Sequence, residues 1–223
     1  MNPTSHTQYS HAVRNNYDRL SRIYDLISGG TERNLIRETI STLNIAGTGN
    51  YLDIGCGTGT GLVELAKKYP SAKNVVGIDI SMGMCKKAVQ KITKQKLRPP
   101  LFSVCQANGF SLPFRSAKFD LVFMSFTFEL IPDDLFQLLC SEVLRVLKLS
   151  GVYLTLNINV SKSRNPIFAL YKWGHDNYPR LIDCRPVDSC MILKTFGFEI
   201  ISTQTFNLWG IPVASVSASK DKK

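Results

Sequence analysis

The stretch LDIGCGTGTG, residues 52–61, decides the fold. With Tyr51 before it, Leu52-Asp53-Ile54 reads as a short buried strand that runs directly into glycines at 55, 57 and 59. A helical stripe of Leu62, Leu65, Ala66 and Tyr69 follows and stops at Pro70. A strand that turns through glycines into a helix brings backbone N–H groups against a ligand, because a Cβ would block both the turn and the approach. A dinucleotide fingerprint needs Gly or Ala at the sixth position counted from Gly55, and Thr60 stands there, which argues against NAD, FAD and a reductase. A pyrophosphate favours a helix N-terminus, whereas Asp53 at the strand end would repel it and suits an α-amino group. The loop therefore points to a nucleoside that carries an amino acid.

The second coordinate is Asp79 in Gly77-Ile78-Asp79-Ile80-Ser81, about 26 positions beyond Asp53, where a strand-end carboxylate can accept hydrogen bonds from both ribose hydroxyls. Further out, apolar stripes and runs alternate. Val13, Tyr17, Leu20, Tyr24 and Ile27 mark an amphipathic N-terminal helix, and Leu35, Ile36, Ile40 and Leu43 a second. Met82, Cys85, Val89 and Ile92 mark a helix opposite a lysine run; residues 101–105 and 119–125 read as strands. Pro132 is expected to start a helix closed by Gly151, before a strand over residues 152–156. Strands alternating with helices give a parallel α/β sheet. Two strand-like runs, residues 198–206 and 211–217, are joined by a turn too short for a parallel crossover, so they form an antiparallel hairpin.

At 223 residues and 44% hydrophobic content the chain supports one core. The expected organisation is a polar, disordered tail over residues 1–12 and one domain over 13–218. That domain includes a helical cap over 13–45 and an inserted lid over 161–183, and a basic tail follows at 219–223. The absence of an apolar targeting segment or a span of about 18 apolar residues places the chain in the cytoplasm. Six cysteines in apolar contexts, with no C-x-x-C pair, read as buried thiols without a metal site. The net charge of +10 is concentrated in Lys86, Lys87, Lys91, Lys94, Lys96 and Arg98 and in the tail. It reads as a solvated face with at most weak peripheral attraction to an anionic membrane, and no nucleic-acid motif accompanies it.

These motifs resemble the class I S-adenosylmethionine-dependent methyltransferases, in particular the branch typified by ubiquinone and menaquinone C-methyltransferases. The resemblance rests on YDRLSRIYDLIS (17–28), LDIGCGTG, GIDIS, ANGFSLPF (107–114), FDLVFMSFTFELIPD (119–133) and SEVLRVLKLSG (141–151). It implies a Rossmann-like class I methyltransferase fold with a seven-stranded, mostly parallel sheet, an antiparallel C-terminal hairpin and helices on both faces. It also implies S-adenosyl-L-methionine as cofactor and S-adenosyl-L-homocysteine as product. Gly55, Gly57 and Gly59 would hold the methionine side with Asp53 nearby, and Asp79 the ribose. Ile80 and Met82 would flank the adenine, and Asn108, beside Gly109, would stand where the family usually carries an Asp. Ser125 would line the methyl-transfer pocket, and Tyr17 and Tyr24 would close over the cofactor. The Lys-Pro-Gly-Gly turn of the family is Lys148-Leu149-Ser150-Gly151 here, and Glu129 and Leu130 replace a frequent histidine.

Methyl transfer from a sulfonium is an in-line displacement, so the protein aligns the reactants and excludes water. Where a base is needed, the candidates are His175, beside Asp176 in the lid, and Glu129 at the carboxyl end of the sheet, with Tyr24 as an aromatic neighbour of the sulfonium. The expected function is methylation of a small aromatic or lipid-like acceptor by a monomer or homodimer. The alternatives are an N-methyltransferase for an amine or phospholipid headgroup and a non-catalytic, cofactor-binding partner subunit. Arsenite methylation would require cysteines converging on the pocket.

Overall fold

The computed structural model describes residues 29–95, 101–160, 165–177 and 185–220. Seven strands form one sheet: β1 (Asn50–Ile54), β2 (Asn74–Asp79), β3 (Leu101–Gln106), β4 (Phe119–Ser125), β5 (Leu147–Ile158), β6 (Phe198–Leu208) and β7 (Ile211–Lys220). Their order is β3-β2-β1-β4-β5-β7-β6. The first five pair in parallel, and β7 runs antiparallel to both β5 and β6. The order reverses between β1 and β4, which opens a crevice at the carboxyl ends of these strands, the place where ligands bind in open α/β sheets.

Helices cover both faces. On one lie α1 (Gly29–Ser41), α2 (Thr60–Lys68) and α3 (Met82–Lys94), and on the other α4 (Phe136–Val146) and α6 (Ser189–Thr195). The pleat assigns alternate residues to the two cores. Leu52, Ile54, Val122 and Met124 join the core under α4, while Tyr51, Leu121 and Phe123 join the one under α1 and α2. α5 (Pro166–Asn177) follows β5 and packs against β7.

Several boundaries differ from the sequence reading. α4 does not begin at Pro132: two short 3-10 turns, Phe128–Leu130 and Asp133–Leu135, intervene, and the helix starts at Phe136. Gly151 does not close it either. β5 already begins at Leu147, and Gly151 lies inside that strand, where a Cβ would stand 2.8 Å from Leu147 Cδ1 and 3.0 Å from the Phe119 carbonyl. The glycine is there for close strand packing at the irregularity in the β4–β5 register. Ser219 and Lys220, expected in a tail, pair with Glu199 and Phe198. Part of the expected lid is the helix α5, while residues 161–164 and 178–183 lie outside the described residues, as do residues 1–28 of the tail and cap.

Candidate active site

The loop after β1 is held by positive φ angles of 68° at Gly55, 52° at Gly57 and 86° at Gly59. Each has a different neighbour. A Cβ on Gly55 would stand 2.5 Å from Thr127 Oγ1, and one on Gly59 3.0 Å from Ala88 Cα in α3, whereas one on Gly57 would meet open space. Gly55 and Gly59 thus seat the loop against β4 and α3, and Gly57 leaves its outer side clear for a ligand. α2 starts from Gly59 with no side-chain cap, so its first amides face the same opening.

Asp79 ends β2 and ties the two halves of the loop system together. Its Oδ2 accepts from the Gly57 amide at 2.9 Å and its Oδ1 from the Ser81 amide at 2.8 Å. Asp53 lies beneath the loop, 1% exposed, with Oδ1 lacking any hydrogen-bond partner among the described residues. Burial, reinforced by the Asp79 charge, holds its carboxyl well above the usual carboxylate range. A Cβ on Gly61 would collide with Asp53 Oδ2 and Phe123, so the helix start is shaped around this carboxyl.

Above these groups lies a cavity of about 1010 Å³, counted with its open mouth. On the β1–β3 side it is lined by residues 55–58, Asp79, Ile80, Asn108 and Gly109, with Leu139 of α4 beside Gly109, and on the β4 side by the apolar Met124, Phe126, Leu130 and Ile131, with Ile36 from α1. Ser125 and Thr127 stand between, and Thr127 Oγ1 donates to the Ser125 carbonyl at 2.9 Å. Phe126 adopts a φ of 48°, and its amide donates to the Leu156 carbonyl at 2.7 Å, which fixes the turn out of β4. Asn108 Oδ1 accepts from the Phe110 amide at 3.0 Å, so its amide group is oriented from within its own turn.

The structure brings Gly55, Gly57, Asp79, Ile80, Asn108, Gly109 and Ser125 to this one cavity. Gly59 and Asp53 support it from behind. Met82 does not line it: 41% exposed at the start of α3, it is replaced on the wall by Met84, 1% exposed. The reason is the cap, in which Ser81 Oγ accepts from the Met84 amide at 3.1 Å and turns residues 84, 85 and 88 inward. Val89, expected inside, is 49% exposed.

Glu129 is fully buried and off the cavity wall, with Oε1 accepting from the Ile158 amide at 3.3 Å, a position that ties the turn after β4 to the end of β5. His175 lies on α5, also off the wall, and Tyr17 and Tyr24 lie outside the described residues. Cys56, Cys85 and Cys140 are buried, but Cys105 is exposed on the edge strand β3. Burial pushes the Cys85 and Cys140 thiols up to about 12, so they are neutral near pH 7.

Sequence reasoning missed Glu32 and Ile36, which α1 contributes to the wall. It also placed Lys91 on a solvated face, yet Lys91 Nζ donates to Thr58 Oγ1 at 2.8 Å and Thr60 Oγ1 at 3.0 Å, bracing the loop from α3. The one available signal was helical spacing, since Lys91 lies one turn beyond Ala88, the residue packed on Gly59.

A methyltransferase domain family matches residues 52–151. The chain is 34% identical over 145 residues to a demethylmenaquinone methyltransferase of Lactiplantibacillus plantarum, covering 63% of this chain and 60% of that protein. It is 34% identical over 161 residues to a ubiquinone/menaquinone biosynthesis C-methyltransferase of Syntrophotalea carbinolica, covering 70% and 65%. The chain thus spans 60–65% of the length of the first curated relatives it matches. Among solved structures it resembles a S-adenosylmethionine-dependent methyltransferase of Methanosarcina mazei, with TM-score 0.65, 22% identity and coverage of 80% and 95%. It also resembles the geranyl diphosphate C-methyltransferase of Streptomyces coelicolor bound to S-adenosyl-L-homocysteine, with TM-score 0.66, 13% identity and coverage of 83% and 77%. At these identities the structural likeness is one of fold.

Proposed function

We propose that the chain is a class I S-adenosylmethionine-dependent methyltransferase and that it methylates a small, quinone-like acceptor, aromatic and lipid-soluble. The observation that carries this reading is the two-ended cavity. A glycine cradle and a strand-end carboxylate occupy one end, an apolar wall the other, and Ser125 and Thr127 stand between them. When bound, S-adenosylmethionine supplies an electrophilic methyl group on a positively charged sulfur.

The chain's own residues bind, orient and exclude water. Asp79 receives the ribose hydroxyls, Asn108 and Ile80 flank the adenine, and the open side of Gly57 admits the amino-acid portion, whose ammonium group balances the buried Asp53 carboxyl. Ile36, Met124, Phe126, Leu130 and Ile131 hold a flat apolar acceptor against the methyl group and keep water out. Carbon methylation of a quinol ring releases a ring proton, and His175 is our candidate to receive it, brought to the site by movement of α5. His175→Gln with an unchanged turnover rate on a quinol acceptor would contradict that role.

A lipid-like acceptor also agrees with three exposed apolar side chains: Leu170 and Trp173 on α5, and Trp209 in the turn between β6 and β7, 65%, 55% and 71% exposed. Peripheral contact with a membrane surface would use them, and vesicle flotation with and without Trp209→Ala tests it. Among the described residues no helix is long and apolar enough to cross a membrane.

The decisive assay supplies methyl-labelled S-adenosylmethionine with reduced demethylated quinones, simple phenols and amines, and locates the label by mass spectrometry. Label on a quinol ring carbon is the expected result. Label only on an amine nitrogen would assign a different acceptor class, and binding of the cofactor with no transfer to any acceptor would turn the reading to a non-catalytic partner.

A further inference from the structure

β1 and β4 part at the cavity. Their parallel register runs from Tyr51 opposite Leu121 to Asp53 opposite Phe123 and ends there, while β4 stays paired with β5 as far as Ser125 opposite Leu156. On its other side the chain after β1 also stays bonded, the Cys56 amide donating to the Ile78 carbonyl at 2.9 Å. The glycine loop and the turn after β4 therefore diverge where Gly55 faces residues 125–127, all of them on the cavity wall.

One side chain spans this split. Thr127 Oγ1, which donates to the Ser125 carbonyl at 2.9 Å, has the Gly55 carbonyl as a second, longer acceptor at 3.4 Å. Its Cγ2 packs on the same glycine, since a Cβ on Gly55 would stand 2.6 Å from it. Thr127 precedes the 3-10 turn Phe128–Leu130, a place where a threonine hydroxyl ordinarily caps the first amides, yet it makes no cap bond. The hydroxyl is turned back across the split instead. The residue it bridges over, Phe126, holds a φ of 48°, a conformation that a bulky side chain adopts only where its surroundings impose it. Two bonds impose it here, from the Phe126 amide to the Leu156 carbonyl at 2.7 Å and from Thr127 Oγ1 to the Ser125 carbonyl. Beyond Thr127 the turn carries Leu130 and Ile131 to the apolar wall.

We propose that Thr127 is a positioning residue that sets the acceptor wall against the cofactor loop. This rests on the reading of the cavity as a methyltransferase site. A sulfonium methyl group passes only along the line from acceptor through carbon to sulfur, and a misplacement of about 1 Å can slow such a step about a hundredfold without weakening the binding of either partner. The glycine loop fixes one end of that line, and the turn after β4 fixes the other. Thr127 joins the two, 72 residues apart in the chain, through one hydroxyl. Filling the cofactor end then steadies the acceptor end, because the loop that closes on the nucleoside is tied to the turn that carries Leu130 and Ile131.

The test compares the full-length protein with Thr127→Val, which keeps the shape and removes the O–H, and Thr127→Ser, which keeps the O–H and removes the methyl group. The first readout needs no acceptor: amide hydrogen exchange over residues 54–59 and 126–131, with and without S-adenosylhomocysteine. In wild type and Thr127→Ser the nucleoside is expected to slow exchange in both segments at least about threefold, and in Thr127→Val in the first segment alone. Slowing of both segments in Thr127→Val, or loss of the second response in wild type or Thr127→Ser, would overturn the proposal. The second readout is methyl transfer to a reduced demethylated quinone. Thr127→Val should lower kcat at least about tenfold while the acceptor KM and the S-adenosylhomocysteine Kd stay within about threefold, and Thr127→Ser should keep most of the rate. A loss shared equally by kcat and affinity would mark a role in folding alone and contradict the assignment. Failure of the wild-type protein to bind S-adenosylhomocysteine is a different result, which would overturn the cofactor reading itself. Binding without transfer to this quinol would overturn the acceptor reading and leave the exchange comparison to decide the role of Thr127.

Discussion

The two ends of the cavity are made of different materials. At the β1–β2 end the ligand-facing surface is mainly backbone, held by three glycines at positive φ and by a carboxylate that accepts two main-chain amides. At the end formed by β4, its following turns and α1, it is apolar side chain: Ile36, Phe126, Leu130 and Ile131. The first end can change little without losing its ligand, because its three glycines hold positive φ angles and a Cβ on Gly55 or Gly59 would strike Thr127 or Ala88. The second can trade one apolar shape for another, which is how a common fold with a common cofactor site hosts different acceptors.

The largest expected effect breaks the backbone end. Gly55→Val places a branched side chain at a φ of 68° and against Thr127, and should remove measurable S-adenosylhomocysteine binding while the chain remains folded by circular dichroism. Retained binding would show that the glycine is not needed there. Ile131→Val at the other end should leave that affinity within about twofold and change the Michaelis constant for the acceptor instead.

Phe128→Ala attacks the support of the side-chain end. Phe128 is fully buried, with its ring centroid 4.8 Å from that of Phe136, so the variant should lose about 3–5 kcal/mol of stability in urea unfolding. A loss below about 1 kcal/mol would mean that the turn after β4 relaxes freely.

Asp53 separates the ends by pH. Its carboxyl titrates higher in the folded protein than in the unfolded chain, because burial first and Asp79 second oppose its charge. The folded state then binds the proton more tightly, so this group's cost is absent below the ordinary carboxylate range and grows as pH rises from there to the folded-state value. Asp53→Asn should gain stability relative to wild type between about pH 4 and about pH 7, read from urea midpoints. A constant difference across that range would contradict the assignment.

The smallest effect sharpens the comparison within a single helix. Met82→Ala should leave S-adenosylhomocysteine affinity unchanged within error, whereas Met84→Ala, on the wall and 1% exposed, should weaken it several-fold and cost about 2–4 kcal/mol of stability.

The same contrast governs what could be read from the sequence. The glycine loop and Asp79 were legible because few residues satisfy a positive φ or end a buried strand with a carboxylate, so local sequence and local geometry determine each other. The hairpin was legible from the short turn at Gly210, which excludes a crossover. Met82 was misplaced because a stripe spaced three and four apart fits neighbouring phases of a helix, and the Ser81 cap, not the period, selects the phase. Pro132 and Gly151 misled because each has two roles. Pro132 opens a 3-10 turn three residues before α4, and Gly151 lies within a strand that begins directly where the helix ends. Glu32 and Ile36 reach the cavity only through the packing of α1 on α2, a contact between elements that no local pattern encodes. Glu129 gives the opposite lesson, a carboxyl at the right end of the sheet whose buried contact with the Ile158 amide takes it off the wall.

The measurement that tests the central claim most directly is isothermal titration of the protein with S-adenosylhomocysteine, beside NADH and beside the Asp79→Ala variant. Saturable binding of the nucleoside alone, reduced at least about a hundredfold in the variant, is the result this account requires. Binding of NADH in preference, or nucleoside binding that survives loss of Asp79, would contradict it.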